Sequence, residues 1–321
     1  AQCSYYEIAQ KEELIVQHRS KTVKYLNGLY LLTTMRKQVI AISILFVIAI
    51  LVSLFVLAQP NRVPATNNKA KEPVPVVIPA NAVQVADGVF SLGTARDVDG
   101  NIVEGIMFVD YKKGYAKPPW AGGGGGNTTT TCFAFMAKGA KWKTTEPYVL
   151  NTTNSDGMTE AFVDSVTATS LDAWDSQVAF EIFGSRNLSG VVDGVDTSSP
   201  DNKNEIFFGN ITEPGVIAVT IVWGVFGGHP SIRKLVEFDA VFDDSDFLWG
   251  YAGPTNETSL GNTSIMDYNN IAVHEFGHGA GMSHPSDSCT EESEYRFAQE
   301  GETKKRTLNA GDISGVKKLY G

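Results

Sequence analysis

HEFGHGAGMSHP, residues 274–285, gathers three of the five histidines of this 321-residue chain into one short stretch. The nine residues before it, IMDYNNIAV, offer Asp267 as a helix cap and an apolar run leading into the stretch. A helix there brings His274 and His278, four positions apart, onto one face with Cβ atoms about 5–6 Å apart, so both imidazoles reach one tetrahedral zinc ion. Glu275 follows the first histidine directly and is placed to take a proton from a metal-activated water, as general base rather than ligand. Gly281 permits a positive φ and a sharp exit from the helix, which turns His284 back as third ligand and leaves the fourth position open.

Upstream of this stretch the chain alternates strand and helix patterns. KWKTTEPYVLN (141–151) reads as a strand. Asp156 is the expected cap of a helix through residues 159–177, where Phe162, Val163, Val166, Leu171 and Trp174 share one face. Val178 to Phe183, Glu205 to Phe208, Ile217 to Phe226 and Leu235 to Phe242 read as strands rich in β-branched and aromatic residues. A linker at 121–131 contains five consecutive glycines, Gly122 to Gly126, and marks where the domain 132–321 begins. Before it, residues 81–120 form a small β-hairpin module turning at Asp99-Gly100, with Asp97, Asp99 and Glu104 as a solvated turn. Residues 59–80, with Pro60, Pro64, Pro73, Pro75 and Pro79, read as an extended linker.

Residues 38–58 contain an uncharged run at 39–58, VIAISILFVIAILVSLFVLA, of the length that crosses a bilayer, so the chain is expected to meet a membrane there. It reads as a transmembrane signal-anchor or as a signal peptide. Arg19, Lys21, Lys24, Arg36 and Lys37 on its N-terminal side orient the rest of the chain outward, as an anchored or a secreted extracytoplasmic protein. Residues 1–37 are then a cytoplasmic tail or a non-native leader, with Met35 as an alternative start. Sequons at Asn127, Asn151, Asn187, Asn210, Asn256 and Asn262 all follow the apolar run and are glycosylation candidates. Cys132 and Cys289 are expected to pair in an oxidising compartment, closing a loop worth about 5 kcal/mol by chain entropy; two buried free thiols are the alternative. The net charge of -10 and a pI near 5.0 argue against nucleic acid as partner.

HExxHxxGxxH followed by Pro resembles the signature of the metzincin zinc peptidases. LVEFDAVFDDSDFLWG (235–250), IMDYNNIAVHEFGHGAG (265–281) and RTLNAGDISGVKKLYG (306–321) are most similar to the matrixin branch, over roughly residues 132–321. The resemblance implies an α+β domain with a twisted mixed five-stranded sheet and about three helices. It also implies a cleft along an edge strand, one catalytic zinc ion, and hydrolysis of internal bonds in a protein or peptide substrate lying extended against the sheet. The wall of the pocket beside the zinc is expected from residues 286–305. Calcium is a further candidate cofactor through Asp239, Asp243, Asp244 or Asp246, a solvated acidic loop being the alternative.

Three departures matter. Metzincins carry a methionine in a turn beneath the zinc, yet no Met follows Met282; Glu294, before Tyr295, stands where it is expected, and a carboxylate there is costly unless paired or turned to solvent. No cysteine lies between Cys3 and Cys132, so the thiol latch of many matrixin propeptides cannot operate from the preceding module, and any latency uses another device. His18 and His229 are too few for a second zinc. The alternative to an active peptidase is therefore an inactive or weakened metzincin-like cell-surface binding protein, with a zinc hydrolase of non-peptide amides as a minor third reading.

Overall fold

The structure, a computed structural model, describes residues 75–115, 131–253 and 261–321. The apolar run 39–58, residues 1–38, the first part of the Pro-rich stretch, nearly all of the Gly/Thr linker, and the sequons at Asn127 and Asn256 lie outside the described residues. No helix among the described residues is long and apolar enough to cross a membrane.

Strands β1 (Val83–Ala86), β2 (Val89–Arg96) and β3 (Ile102–Lys112) form an antiparallel meander. Its β2–β3 hairpin closes at the expected Asp99-Gly100: Gly100 has φ +82, and the Asp97 carboxylate accepts the Asp99 and Asn101 amides. After the short β4 (Ala134–Phe135) come β5 (Glu146–Asn151), helix α1 (Glu160–Asp175), β6 (Phe183–Arg186), β7 (Glu205–Gly209), β8 (Val216–Val225) and β9 (Lys234–Asp243). β10 (Trp249–Gly250) pairs β11 (Met266–Asp267) and leads into α2 (Tyr268–Gly279); β12 (Met282–Ser283) pairs β4. β13 (Phe297–Ala298), a 3-10 turn at Lys304–Arg306 and α3 (Ala310–Tyr320) complete the chain.

The main sheet runs β1-β2-β3-β8-β9-β7-β5-β6, with β13 paired to β3. β9, β7, β5 and β6 are parallel neighbours and β8 is antiparallel to β9, giving the expected mixed five-stranded arrangement. The meander continues that sheet rather than standing beside it: β3 pairs antiparallel with β8 from Glu104↔Gly224 to Tyr111↔Val216. β8 is accordingly buried on both faces, and its sequence VIAVTIVWGV has the continuous apolar character of an interior strand. One face packs Ala218, Val222, Phe108, Phe238 and Phe242 against α1 and α2. The other packs Met107, Val109, Val219, Ile221 and Trp223 with Val76 and Val192. Each buried Val, Ile, Met or Phe among them contributes about 1.5–3 kcal/mol.

Several expectations are adjusted. The end of the Pro-rich stretch is packed, since the buried Val76 donates its amide to Asn210 O and accepts that of Thr212. Thr159, not Asp156, caps α1; Asp156 instead accepts the Trp249 amide. Residues 178–182 are connection rather than strand, because the Asp175 carboxylate at the end of α1 captures the amides of Ile182 and Phe183. Cys132 and Cys289 form a disulfide, as expected, tying the start of the second described segment to the loop after His284. Among the sequons, Asn187, Asn210 and Asn262 are exposed, while Asn151 ends β5 and is half-buried.

Candidate metal centre

Helix α2 begins at Asp267, whose carboxylate accepts the Asn270 amide at 2.9 Å. Arg306 grips the same carboxylate at 2.8 and 2.5 Å, and both side chains are almost fully buried. The helix is held along its length by Trp174, which donates to Val273 O, and by Trp142, which donates to Gly279 O, each at 2.8 Å. Gly281 leaves it with φ +99; a Cβ there would collide with Ala140 O. These contacts fix both where the helix lies and where the chain turns back.

As a result the imidazoles of His274, His278 and His284 converge. Their Nε2 atoms stand 3.1 Å apart for the His278–His284 pair and 3.3 Å apart for the His284–His274 pair. Tetrahedral ligands at roughly 2.0–2.1 Å from zinc stand about 3.3–3.4 Å from one another, so both of these separations suit such an ion. Their Nδ1 atoms face acceptors where these exist: His274 Nδ1 donates to Ser293 O at 2.6 Å, and His278 Nδ1 lies 3.3 Å from Met282 O and 3.1 Å from Glu294 Oε2. Burial pulls all three imidazoles towards the neutral form that binds metal, His278 to about 4.

A fourth donor arrives from β3. Asp110, 4% exposed, places Oδ1 3.2 Å from His274 Nε2 and 2.9 Å from His284 Nε2, with Oδ2 3.8 Å from His278 Nε2. The four ligand atoms lie within 4.8 Å of one another. Burial works to raise this carboxyl, but His274 and His284 outweigh it and hold the carboxyl well below the usual range. Two positions earlier on the same strand face, Phe108 stacks on His278 at 3.8 Å between ring centres and meets His284 edge-on.

Glu275 is fully buried, with Oε2 accepting from Thr220 Oγ1 of β8 at 2.7 Å. Burial, then the charge of Asp110, pushes its carboxyl well above the usual range. Glu275, His274 and Asp110 line a small cavity, whose other wall is Tyr295, Arg296, Phe297, Ala298 and Lys305, in the 286–305 stretch.

The turn beneath the histidines contains Glu294. It is completely buried, close under the helix backbone: a Cβ on Gly277 would fall on its carboxylate. Burial raises its carboxyl to about 8. The amides of Ser293 and Glu294 are held by Asp312, the capping-box residue of α3. The buried Lys305 donates to the carbonyls of Ser293 and Tyr295. The turn is therefore braced by a cation and a helix cap in place of an apolar floor.

Asp110, Thr220, Lys305 and Asp312 did not emerge from the sequence. The available signal for Asp110 was a single carboxylate within the otherwise apolar GIMFVDY, a position that demands a partner. Of the calcium candidates, Asp239 and Asp243 are buried, not solvated: Asp239 accepts the amides of Asp196 and Glu205, and Asp243 those of Ile211 and Ser245. The carboxylates that converge are instead Asp196, Asp201 and Glu237, and Asp193, Asp201 and Glu205. His229 sits in an exposed loop, bonded to Ser231, and His18 lies outside the described residues.

Comparison with known proteins bears on the same region. Residues 141–321 match the family model described as Matrixin. A stretch of 78 residues is 35% identical to Metalloendoproteinase 1 of Glycine max, covering 24% of this chain and 24% of that protein. The chain thus aligns with about a quarter of that relative's length.

Proposed function

Because the chain belongs to the matrixin family, we propose that it is a zinc-dependent endopeptidase, with His274, His278 and His284 as metal ligands and Glu275 as general base. The observation that carries this reading is the convergence of three imidazole nitrogens at tetrahedral spacing beside a cavity lined by a buried glutamate. Zinc held there would supply Lewis acidity towards a water and towards the scissile carbonyl. The chain's own residues do the rest. Glu275, steadied by Thr220, takes the proton and delivers it to the leaving amine. With β3 withdrawn, β8 and β13 would present backbone groups on either side of an extended peptide. With Asp110 moved out of it, the small cavity walled by Tyr295, Arg296, Phe297 and Ala298 would receive one side chain beside the scissile bond. The substrate class is protein or peptide, and the disulfide suits an oxidising, extracytoplasmic setting.

Glu294 beneath the histidines favours one alternative, a metzincin-like binding protein with little or no turnover. A quenched peptide library decides between them. The full chain, loaded with zinc or chelated, is compared with Glu275→Ala and with Asp110→Ala, metal content being measured in parallel. Zinc-dependent cleavage that falls at least about a thousandfold in Glu275→Ala, with zinc retained, supports the peptidase. Bound zinc without cleavage in any form, Asp110→Ala included, supports the binding protein.

A further inference from the structure

The strand that pairs with β8 lies where an extended substrate belongs. β3 runs antiparallel to β8 through eight residue pairs and parallel to β13 through Tyr111↔Phe297 and Lys112↔Ala298. Both rims of the cleft are therefore satisfied by one internal strand. The faces of β3 are suited to this position: Phe108 and Asp110 point at the histidines, while Met107 and Val109 enter the opposite core. The strand is also fastened to the pocket wall by charge. Lys112 pairs with Glu300 at 2.6 Å, and Asp87, in the β1–β2 turn, pairs with Arg296 at 2.7 Å. The Lys113 amide donates to Ala298 O.

Asp110 adds the decisive contact. Neither of its carboxylate oxygens has a hydrogen-bond partner, although the side chain is buried. A buried carboxylate aimed at three imidazole nitrogens and satisfied by nothing else has the position of a metal ligand. We infer that β3 is a built-in occupant of the cleft and that Asp110 is the fourth protein ligand of the zinc, so that the chain in this fold is latent until the strand is withdrawn. This rests on the zinc endopeptidase reading. It supplies the device that the missing cysteine left unassigned.

The test uses the full chain with cobalt in place of zinc, in a Glu275→Ala background so that no self-cleavage intervenes. Visible absorption reports the coordination of the ion, and acetohydroxamate serves as a small probe for an open position. The wild-type ligand set is expected to bind the probe at least ten times more weakly than Asp110→Ala, and the variant is expected to show an altered cobalt spectrum. Asp110→Asn keeps the shape of the side chain and is expected to act in the same direction if the alanine variant does not fold. Asp87→Ala combined with Lys112→Ala leaves every ligand in place and, by loosening the strand, is expected to improve probe binding by a smaller factor. Equal probe binding and identical spectra for wild type and both Asp110 variants would overturn the inference. With Glu275 restored, the peptide assay separates the two readings: an Asp110-dependent spectrum without cleavage in any variant refutes the endopeptidase and leaves Asp110 as ligand. Cleavage by the intact wild-type chain at the rate of Asp110→Ala refutes latency.

Discussion

Two clusters of polar side chains, one buried and the other open to solvent along its rim, use carboxylates in opposite ways. In the metal centre, Asp110 stands among three imidazoles and is held in its anionic form. In the second cluster, between β7, β9 and the loop before β7, Asp196, Asp201 and Glu237 face one another, with Glu205 and Asp239 alongside. Lys203 pairs with Asp193, Asp201 and Glu205 but reaches neither Glu237 nor Asp239. Burial first, and then Asp196, pushes Glu237 upward; burial and then Glu237 does the same to Asp239. Neutral nitrogen donors with a single anion suit zinc, whereas a set of oxygen donors alone suits a proton or a hard cation such as calcium. What a buried acid requires is thus set by its neighbours rather than by its depth.

The largest test of this contrast is His278→Ala, which removes a proposed ligand. Zinc affinity, measured by competition with a chelating dye, should fall by more than the factor of about 10–100 typical of changes just behind the ligands. Glu294→Gln should fall within that range, since it leaves the ligand in place and changes only the carboxyl that lies 3.1 Å from His278 Nδ1. An unchanged affinity in Glu294→Gln would make the buried glutamate a packing residue only.

In the acidic cluster the expected effect is on stability. A carboxyl raised on folding contributes stability that is present below its unfolded pKa and lost as pH rises through its folded value. The melting temperature should therefore decline as pH rises from the unfolded carboxyl range towards about 9, the folded value of Glu237. Glu237→Gln should raise the melting temperature in mildly alkaline solution by a few degrees, about 2–4 °C per kcal/mol for a domain of this size, and flatten the decline. An equal decline in wild type and variant would assign it to other groups. The smallest effect concerns Asp175, raised to about 6 chiefly by burial. Its contribution is lost as pH rises from 4 through 6, and Asp175→Asn, which keeps an oxygen for the Ile182 and Phe183 amides, should flatten that segment of the pH–stability curve.

What could be read from the sequence was what local geometry dictates. The four-residue spacing of His274 and His278, the cap at Asp267 and the positive φ of Gly281 are consequences of one helix and its exit, and each is where the sequence put it. Glu294 was visible as an anomaly, but its bracing was not, because Lys305 and Asp312 reach it from the 3-10 turn and from α3. Asp110 was hidden for the same reason at longer range: nothing in the periodicity of residues 102–112 says which strand they pair with. The evenly apolar VIAVTIVWGV fits an interior strand rather than the expected open edge, but it does not name the strand that covers it. At the ends of α1, side-chain capture overrode propensity, as Thr159 displaced Asp156 and Asp175 unravelled the strand pattern of 178–182.

The spacing between β8 and β13 limits what the proposed peptidase could digest. Strands in a sheet sit about 4.7–4.9 Å apart, so a slot bounded by a strand on each side admits one backbone and excludes a helix about 10–12 Å across. A folded target must first surrender a stretch of chain, and cleavage would be governed by how readily that stretch frays. The diet of the proposed peptidase would be selected as much by the local stability of its prey as by any sequence its pocket prefers.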